Sequence, residues 1–276
     1  MKRPLFMRFP GGRDRALTLS YDDGVNPDAR LISILKAHGM KATFNINSDL
    51  FSPDDPSLPR NGTRFSASEA VKVYEGMEVA VHGAIHPFWN QMPLASATYD
   101  IIRDRANLEK IFHRTIRGSA APYGVTGEKC IEALKAAGIV YCRTTVSTEK
   151  FSMPENWLAL PATCHHGNPR LMELAKNFLG LQNPRHPQLF YLWGHSYEFD
   201  DNDNWGVIEA FCDLVGGHDD LIWYATNGEI YDYTEAYNRL VWSVEMDRVT
   251  NPTFTELWFL FGKTVYRIMP GETIVF

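Results

Sequence analysis

A chain of 276 residues with 45% hydrophobic and 13% aromatic content can bury a large core, as one big domain or as a domain with a small appendage. Its net charge of -6, with no run rich in Lys or Arg, lacks the electrostatic footprint of a nucleic-acid or anionic-membrane binder, so neither partner is expected. No apolar run approaches a membrane span, the chain reaches Pro10-Gly11-Gly12 before any signal-length segment, and Cys130, Cys142, Cys164 and Cys212 read as reduced core thiols, so a cytoplasmic location is expected.

The stretch 16–24, Ala-Leu-Thr-Leu-Ser-Tyr-Asp-Asp-Gly, alternates apolar and polar residues and ends in two carboxylates and a glycine, as a strand feeding a functional loop would. Successive strand side chains face opposite ways, so Asp22 and Asp23 are expected to take different tasks, one toward a metal and one toward a substrate. Taken alone, the same triplet is more often a surface turn. Asn26-Pro27-Asp28 reads as a cap, a first-position proline and an early acid for a helix with Leu31, Ile34 and Leu35 on one face and Gly39 as its stop. A second strand is expected at 41–47, and a capping box from Ser66 to Glu69 opens a helix that runs to Glu75. A third strand at 78–81 stops at His82, and a long helix follows over 94–112 with Ile101, Ile102, Leu108 and Ile111 as its apolar stripe.

Further strands are expected at 116–120, 139–143, 158–160, 188–193 and 221–224, with helices over 128–137, 169–179 and 205–214 between them. A last helix opens at the capping box from Thr226 to Glu229. Alternating strands and helices define an α/β chain with a parallel sheet, and seven or eight such units point to a distorted (β/α) barrel, an open doubly wound sheet being the alternative. Residues 1–240 form this barrel domain; residues 241–276, which alternate apolar and polar residues between turns, form a C-terminal antiparallel β appendage. Its strand edges need covering, by the barrel or by a second copy in a homo-oligomer.

The second chemical signal is Val81-His82-Gly83-Ala84-Ile85-His86-Pro87. Gly83 and Pro87 favour a loop at a strand end, where both imidazoles can converge on one ion. An isolated pair of this spacing is more often incidental. Chain order shifts the balance: carboxylates end the first strand, histidines end the third, and in a parallel barrel those ends share one face, so Asp23, His82 and His86 can meet as a catalytic metal site.

The series Ser20-Tyr21-Asp22-Asp23-Gly24, His82-Gly83-Ala84-Ile85-His86-Pro87, Ala121-Pro122-Tyr123-Gly124 and Leu192-Trp193-Gly194-His195 resembles, in order and spacing, the polysaccharide deacetylases of the chitin deacetylase and nodulation-protein homology class. The resemblance runs from about Leu17 to Tyr224. It implies a distorted (β/α) barrel and removal of an acetyl group from a carbohydrate with a divalent metal, zinc first and cobalt as a second choice. Residue by residue, it implies Asp22 as general base, Asp23, His82 and His86 as metal ligands, the Tyr123 backbone N–H as an oxyanion donor and His195 as general acid. Pro122, Tyr123, Trp157 and Trp193 are the expected substrate walls.

This chain departs from the family pattern at three motifs. The third motif's arginine position holds Ala120, and the nearest match to the fourth motif's Asp-Trp is Asn156-Trp157. Trp193 stands where the family has Leu, reshaping the pocket for the acetyl methyl. Arg143, at the end of its strand on the same catalytic face, is expected to replace the lost arginine as partner of Asp22, against the alternative of a solvated cation. Cys164-His165-His166 reads as incidental, and the aromatic and acidic run from Trp193 to Trp205 as a sugar-binding surface or a solvated loop. Alternatives to a carbohydrate deacetylase are a metal-dependent amidase acting on a small linear or cyclic amide and a non-catalytic carbohydrate-binding protein on the same scaffold.

Overall fold

The computed structural model describes residues 4–276; the basic start at residues 1–3 lies outside the described residues. In chain order, β1 (Leu5–Arg8) precedes β2 (Arg15–Asp23), after which α1 (Asp28–Ala37), β3 (Thr43–Ile46), α2 (Ala67–Val73), β4 (Glu78–Val81), α3 (Leu94–Phe112), β5 (Gly118–Ala120), α4 (Glu128–Ala136) and β6 (Tyr141–Ser147) alternate. Then come β7 (Leu160–Ala162), β8 (Cys164–His165), α5 (Leu171–Leu179), β9 (Gln188–Gly194), α6 (Tyr197–Asp201), α7 (Gly206–Val215), β10 (Ile222–Tyr224) and α8 (Asn227–Asn238). The C-terminal region supplies β11 (Val241–Trp242), β12 (Arg248–Thr250), β13 (Leu257–Phe261), β14 (Thr264–Ile268) and β15 (Thr273–Val275).

The strands β2 to β10 form one sheet in which every pairing is parallel. Its order β7-β6-β5-β4-β3-β2-β9-β8 ends in two strands that are consecutive in the chain. The segment that contains β7 and β8 therefore pairs first with β6 and then with β9, which closes the sheet into a ring of seven staves. The eighth strand, β10, covers only the lower half of β2, at Arg15–Leu17, below the point where β3 pairs with Ser20–Asp23. This is the expected distorted barrel, with a short stave in place of a complete eighth.

Alternation along β2 separates the two faces. Leu17, Leu19 and Tyr21 point outward into the core beneath the helices, packed with Leu31, Leu35, Phe44 and Tyr74. Thr18, Ser20 and Asp22 point into the ring, where each meets a polar partner. The floor is a polar plug at the start of α8: Asn227 accepts from Thr18 Oγ1 at 2.8 Å and donates to the Tyr191 hydroxyl at 2.7 Å, and the Gly228 N–H bonds Glu78 at 2.9 Å. Such a ring has one usable mouth, at the C-terminal ends of its strands.

Below the plug lie two three-stranded antiparallel sheets, in the orders β1-β13-β14 and β11-β12-β15. The first borrows β1 from the other end of the chain, a partner that the C-terminal pattern alone does not contain. Phe259, Phe261, Trp242 and Phe276 pack together beside α8. All four cysteines are buried and free.

Three local expectations are corrected. Asn26 does not cap α1; its side chain donates to the Gly62 carbonyl at 2.9 Å, and Pro27 occupies the cap. Residues 158–160 open as a tight turn, Trp157–Ala159, and the strand starts at Leu160. Ile102 is 45% exposed rather than part of the α3 stripe, because α3 turns Asp100 and Asp104 inward. These two carboxylates are buried for a reason: Asp104 receives the backbone N–H groups of Ser48 at 2.9 Å and His82 at 3.0 Å, and Asp100 receives Trp89 Nε1 at 2.7 Å.

Candidate active site

The mouth of the ring gathers side chains from five strand ends. β2 ends in Asp22 and Asp23, His82 follows β4, the Pro122–Gly124 turn follows β5, Arg143 lies in β6 and His195 follows β9. Asp23, Tyr123 and nearby His86 sit in the left-handed backbone region without being glycine, at φ 79°, 60° and 58°. Strain of this kind persists only where surrounding contacts impose it.

His82 Nδ1 lies 2.8 Å from the Ala120 carbonyl oxygen. A carbonyl can only accept, so Nδ1 carries a hydrogen; Nε2 is buried and has no hydrogen-bond partner. It lies 3.7 Å from Asp23 Oδ1, as does His86 Nε2. These separations are too long for hydrogen bonds and close to the roughly 3.4 Å between ligand atoms that bonds of about 2.1 Å impose around a tetrahedral zinc. One ligand atom each from Asp23, His82 and His86 lies within 4.8 Å of the others. Burial, reinforced by neighbouring His82, holds the His86 imidazole below the ordinary histidine range, in the neutral form a metal needs. The donor set fits a divalent cation.

Asp22 is 3% exposed, one oxygen paired with Arg143 Nη2 and the other accepting from Asn45 Nδ2 at 2.8 Å. Burial pushes its carboxyl up, but the Arg143 guanidinium, then His82 and His195, outweigh that and hold it at about 2. Arg143 is itself fully buried; Nε reaches Ser20 Oγ at 3.3 Å, Nη1 the Thr144 carbonyl at 3.1 Å, and its guanidinium carbon lies 4.4 Å from the Trp193 ring centroid. The structure thus brings together the pair that the register of β5 and β6 foreshadowed: Arg143 is the direct β-partner of Ala120.

On the other side of Asp22, His195 Nε2 lies 3.9 Å from its carboxylate, and Nδ1 lies 3.2 Å from Glu198 Oε1. The second oxygen of Glu198 lies 3.0 Å from His165 Nε2 and 2.8 Å from His166 Nε2. Burial pulls the His195 imidazole down, but Glu198 and then Asp22 outweigh it and raise it above the ordinary histidine value. Glu198 is held far below the usual carboxylate range, its burial outweighed by the three imidazoles. His166, largely buried, is pushed down by desolvation.

His165 and His166 are therefore not incidental. The register of β8 on β9 sets His165 beside Trp193, and the turn leading into α6 brings Glu198, three residues beyond His195, back against it. The i, i+3 relation was readable in the sequence; the passage of β8 to β9 was not.

Tyr123 is 49% exposed, its ring stacked on Phe88 at 3.6 Å and edge-on to His86 at 4.4 Å, while Pro122 is buried beneath it. Trp193 is buried between Arg143 and His195. Trp157 goes elsewhere: it packs edge-on at 5.2 Å against Tyr231 of α8, at the floor end of the barrel, which corrects its assignment as a substrate wall. A cavity of about 620 Å³ opens beside Asp23, lined by Asn26, Arg64, Tyr197, Asp200 and Asp201, so part of the run after His195 reaches the mouth.

A family model described as polysaccharide deacetylase matches residues 10–142. A putative polysaccharide deacetylase from Mycobacterium smegmatis has a similar structure, with 14% identity over 86% of this chain and 95% of that one and a TM-score of 0.58. The Xyl-CE4 domain of a multidomain xylanase from the hindgut metagenome of Trinervitermes trinervoides matches at 15% identity, 81% of this chain, 92% of that one and TM-score 0.51. Over residues 10–142 the chain is thus similar to the polysaccharide deacetylase family, and its fold is that of these structures. A further similar structure is a mutant, with restored enzymatic activity, of a CE4 family pseudoenzyme from Bacillus anthracis, at 14% identity, 82% of this chain, 70% of that one and TM-score 0.50. Likeness of fold leaves catalysis to be argued from the residues at the mouth. Among the described residues no helix is long and apolar enough to cross a membrane.

Proposed function

We propose that this protein is a metal-dependent hydrolase that removes an acetyl group from an amino sugar or an acetylated oligosaccharide or polysaccharide. The observation that carries the proposal is the unpartnered Nε2 of His82, buried and facing Asp22 at 3.8 Å and Asp23 at 3.7 Å, with Nδ1 donating to the Ala120 carbonyl. Asp23, His82 and His86 would hold the cation, zinc by the chemistry of its donors, with cobalt a workable substitute. When bound, such a cation supplies Lewis acidity and a water of lowered pKa.

The protein's own groups carry the protons. Asp22, ionised at any working pH, accepts a proton from the attacking water; its low pKa makes it a modest base, and its orientation by Arg143 and Asn45 compensates. The carbonyl carbon becomes tetrahedral, and the backbone N–H of Tyr123 is the donor proposed for its oxygen. As the C–N or C–O bond breaks, His195 gives its proton to the departing amine or alcohol, leaving acetate as the second product. Tyr123, Pro122 and Trp193 are the proposed walls of the acetyl pocket.

Acetate release from acetylated chito-oligosaccharides is the direct test. Activity should survive dialysis, vanish with a chelator and return with zinc or cobalt; turnover indifferent to the chelator would defeat the proposal. Saccharide binding without turnover under any metal would instead place the chain with non-catalytic relatives.

A further inference from the structure

Asp28 takes no part in the chemistry just described, yet it is fully buried between the two halves of the site. Its Oδ2 accepts from the Val25 N–H at 3.1 Å and from the Tyr74 hydroxyl at 2.6 Å, and its Oδ1 accepts from the Ser196 hydroxyl at 2.5 Å. Val25 lies two residues beyond Asp23, and Ser196 immediately follows His195. One carboxyl group therefore bridges the loop that leaves β2 and the loop that leaves β9.

The bridge sits where the sheet stops doing this work. Strands β2 and β9 pair from Arg15 with Gln188 up to Tyr21 with Gly194, and no further. Asp22, Asp23 and His195 all lie beyond the last rung, where the two backbones separate and the ladder no longer sets the distance between them. The 3.9 Å between His195 Nε2 and Asp22 must be held by something else. Ser196 is fully buried, so its hydroxyl needs a partner and has found this one.

We propose that Asp28 is a positioning residue that ties the loop of the acid, His195, to the loop of the base and metal ligand, Asp22 and Asp23, through Ser196 on one side and Val25 on the other. The inference rests on the reading of His195 as the acid. It predicts a selective defect: loosening the tie misplaces the proton donor, while the groups that activate water stay where they are.

S196A tests this, because it removes a single hydroxyl and leaves Asp28 its other two donors. Zinc-loaded S196A should lose about tenfold or more in kcat on N-acetylchito-oligosaccharide, whose amine must be protonated to leave. It should stay within about twofold of the parent protein on 4-nitrophenyl acetate, whose phenolate leaves without a proton. Y74F, which removes a donor on the far side of Asp28, should show no such selectivity. Equal losses on both substrates, no loss on the amide, or the same selectivity in Y74F would overturn the proposal. A readout without substrate separates this from the functional reading: by NMR, the His195 ring of S196A should titrate lower than that of the parent protein. If the parent protein cleaves neither substrate, the proposed function fails while the tie is judged by that titration, an unchanged value overturning it.

Discussion

Two histidine clusters flank Asp22, and their spacing separates their chemistry. In the first, Asp23 Oδ1 stands 3.7 Å from the Nε2 of both His82 and His86, and the Nε2 of His82 has no hydrogen-bond partner. In the second, Glu198 lies 2.8 to 3.2 Å from His165, His166 and His195. Either trio of residue types could ligate a cation on paper. The first is spaced as ligands around an ion are; in the second the groups lie closer, as charged imidazole–carboxylate pairs do, with His195 Nδ1 hydrogen-bonded to Glu198 Oε1. Residue identity alone does not tell a metal centre from a proton network, and a few tenths of an ångström do.

The sharpest way to break this comparison is to count metal. His82→Ala should reduce turnover to background and abolish tight zinc binding, whereas His165→Ala should leave the zinc content at about one per chain, measured by elemental analysis after dialysis. Two equivalents of zinc, one of them lost in His165→Ala, would show that the second cluster is also a metal site.

Between the clusters stands the ion pair of Asp22 and Arg143. Arg143→Ala should lower kcat by about a hundredfold or more with zinc content unchanged, since the ligands are untouched and only the base is misplaced. The same change leaves a buried carboxylate unpaired and should cost about 3–5 kcal/mol of stability in a denaturant melt. The double variant Asp22→Asn with Arg143→Met should recover much of that stability and none of the activity. Near-normal kcat in Arg143→Ala would remove the guanidinium from the mechanism.

The second cluster should announce itself in the pH profile. The acid must be protonated, so kcat/KM falls as pH rises through the pKa of His195, which Glu198 and Asp22 hold above the ordinary histidine value. Glu198→Gln removes the larger upward pull, so the fall should begin at lower pH, with zinc content unchanged. An alkaline limb that does not move would detach Glu198 from His195. Smallest of all, Trp193→Leu should mainly raise KM, by a few fold, because it opens the pocket wall and leaves every proton-carrying group in place.

Much of the site was legible because its parts are local. A strand that alternates and ends in Asp-Asp-Gly declares two carboxylates facing opposite ways, and the α2 and α8 capping boxes and the α3 limits follow from spacing within one turn of chain. The parallel alternation also put every strand end on one face, which is enough to predict that Asp23, His82, His86, Arg143 and His195 meet at one mouth. What local pattern could not contain is which strands become neighbours when the ring closes. That closure runs through a three-residue β7 and a two-residue β8, too short to carry a periodicity, and it alone brings His165 and His166 to Glu198. The same holds for Trp157, which the match to a family motif placed near the substrate and the packing of α8 drew to the floor. It holds equally for Asp28, read from the sequence only as an early acid in the first turn of a helix, which becomes a bridge because Ser196, 168 positions away, folds back onto it. Sequence periodicity reports what a residue does within its own element, whereas burial leaves a polar group only the partners that tertiary packing supplies, and those are chosen by the closure of the barrel.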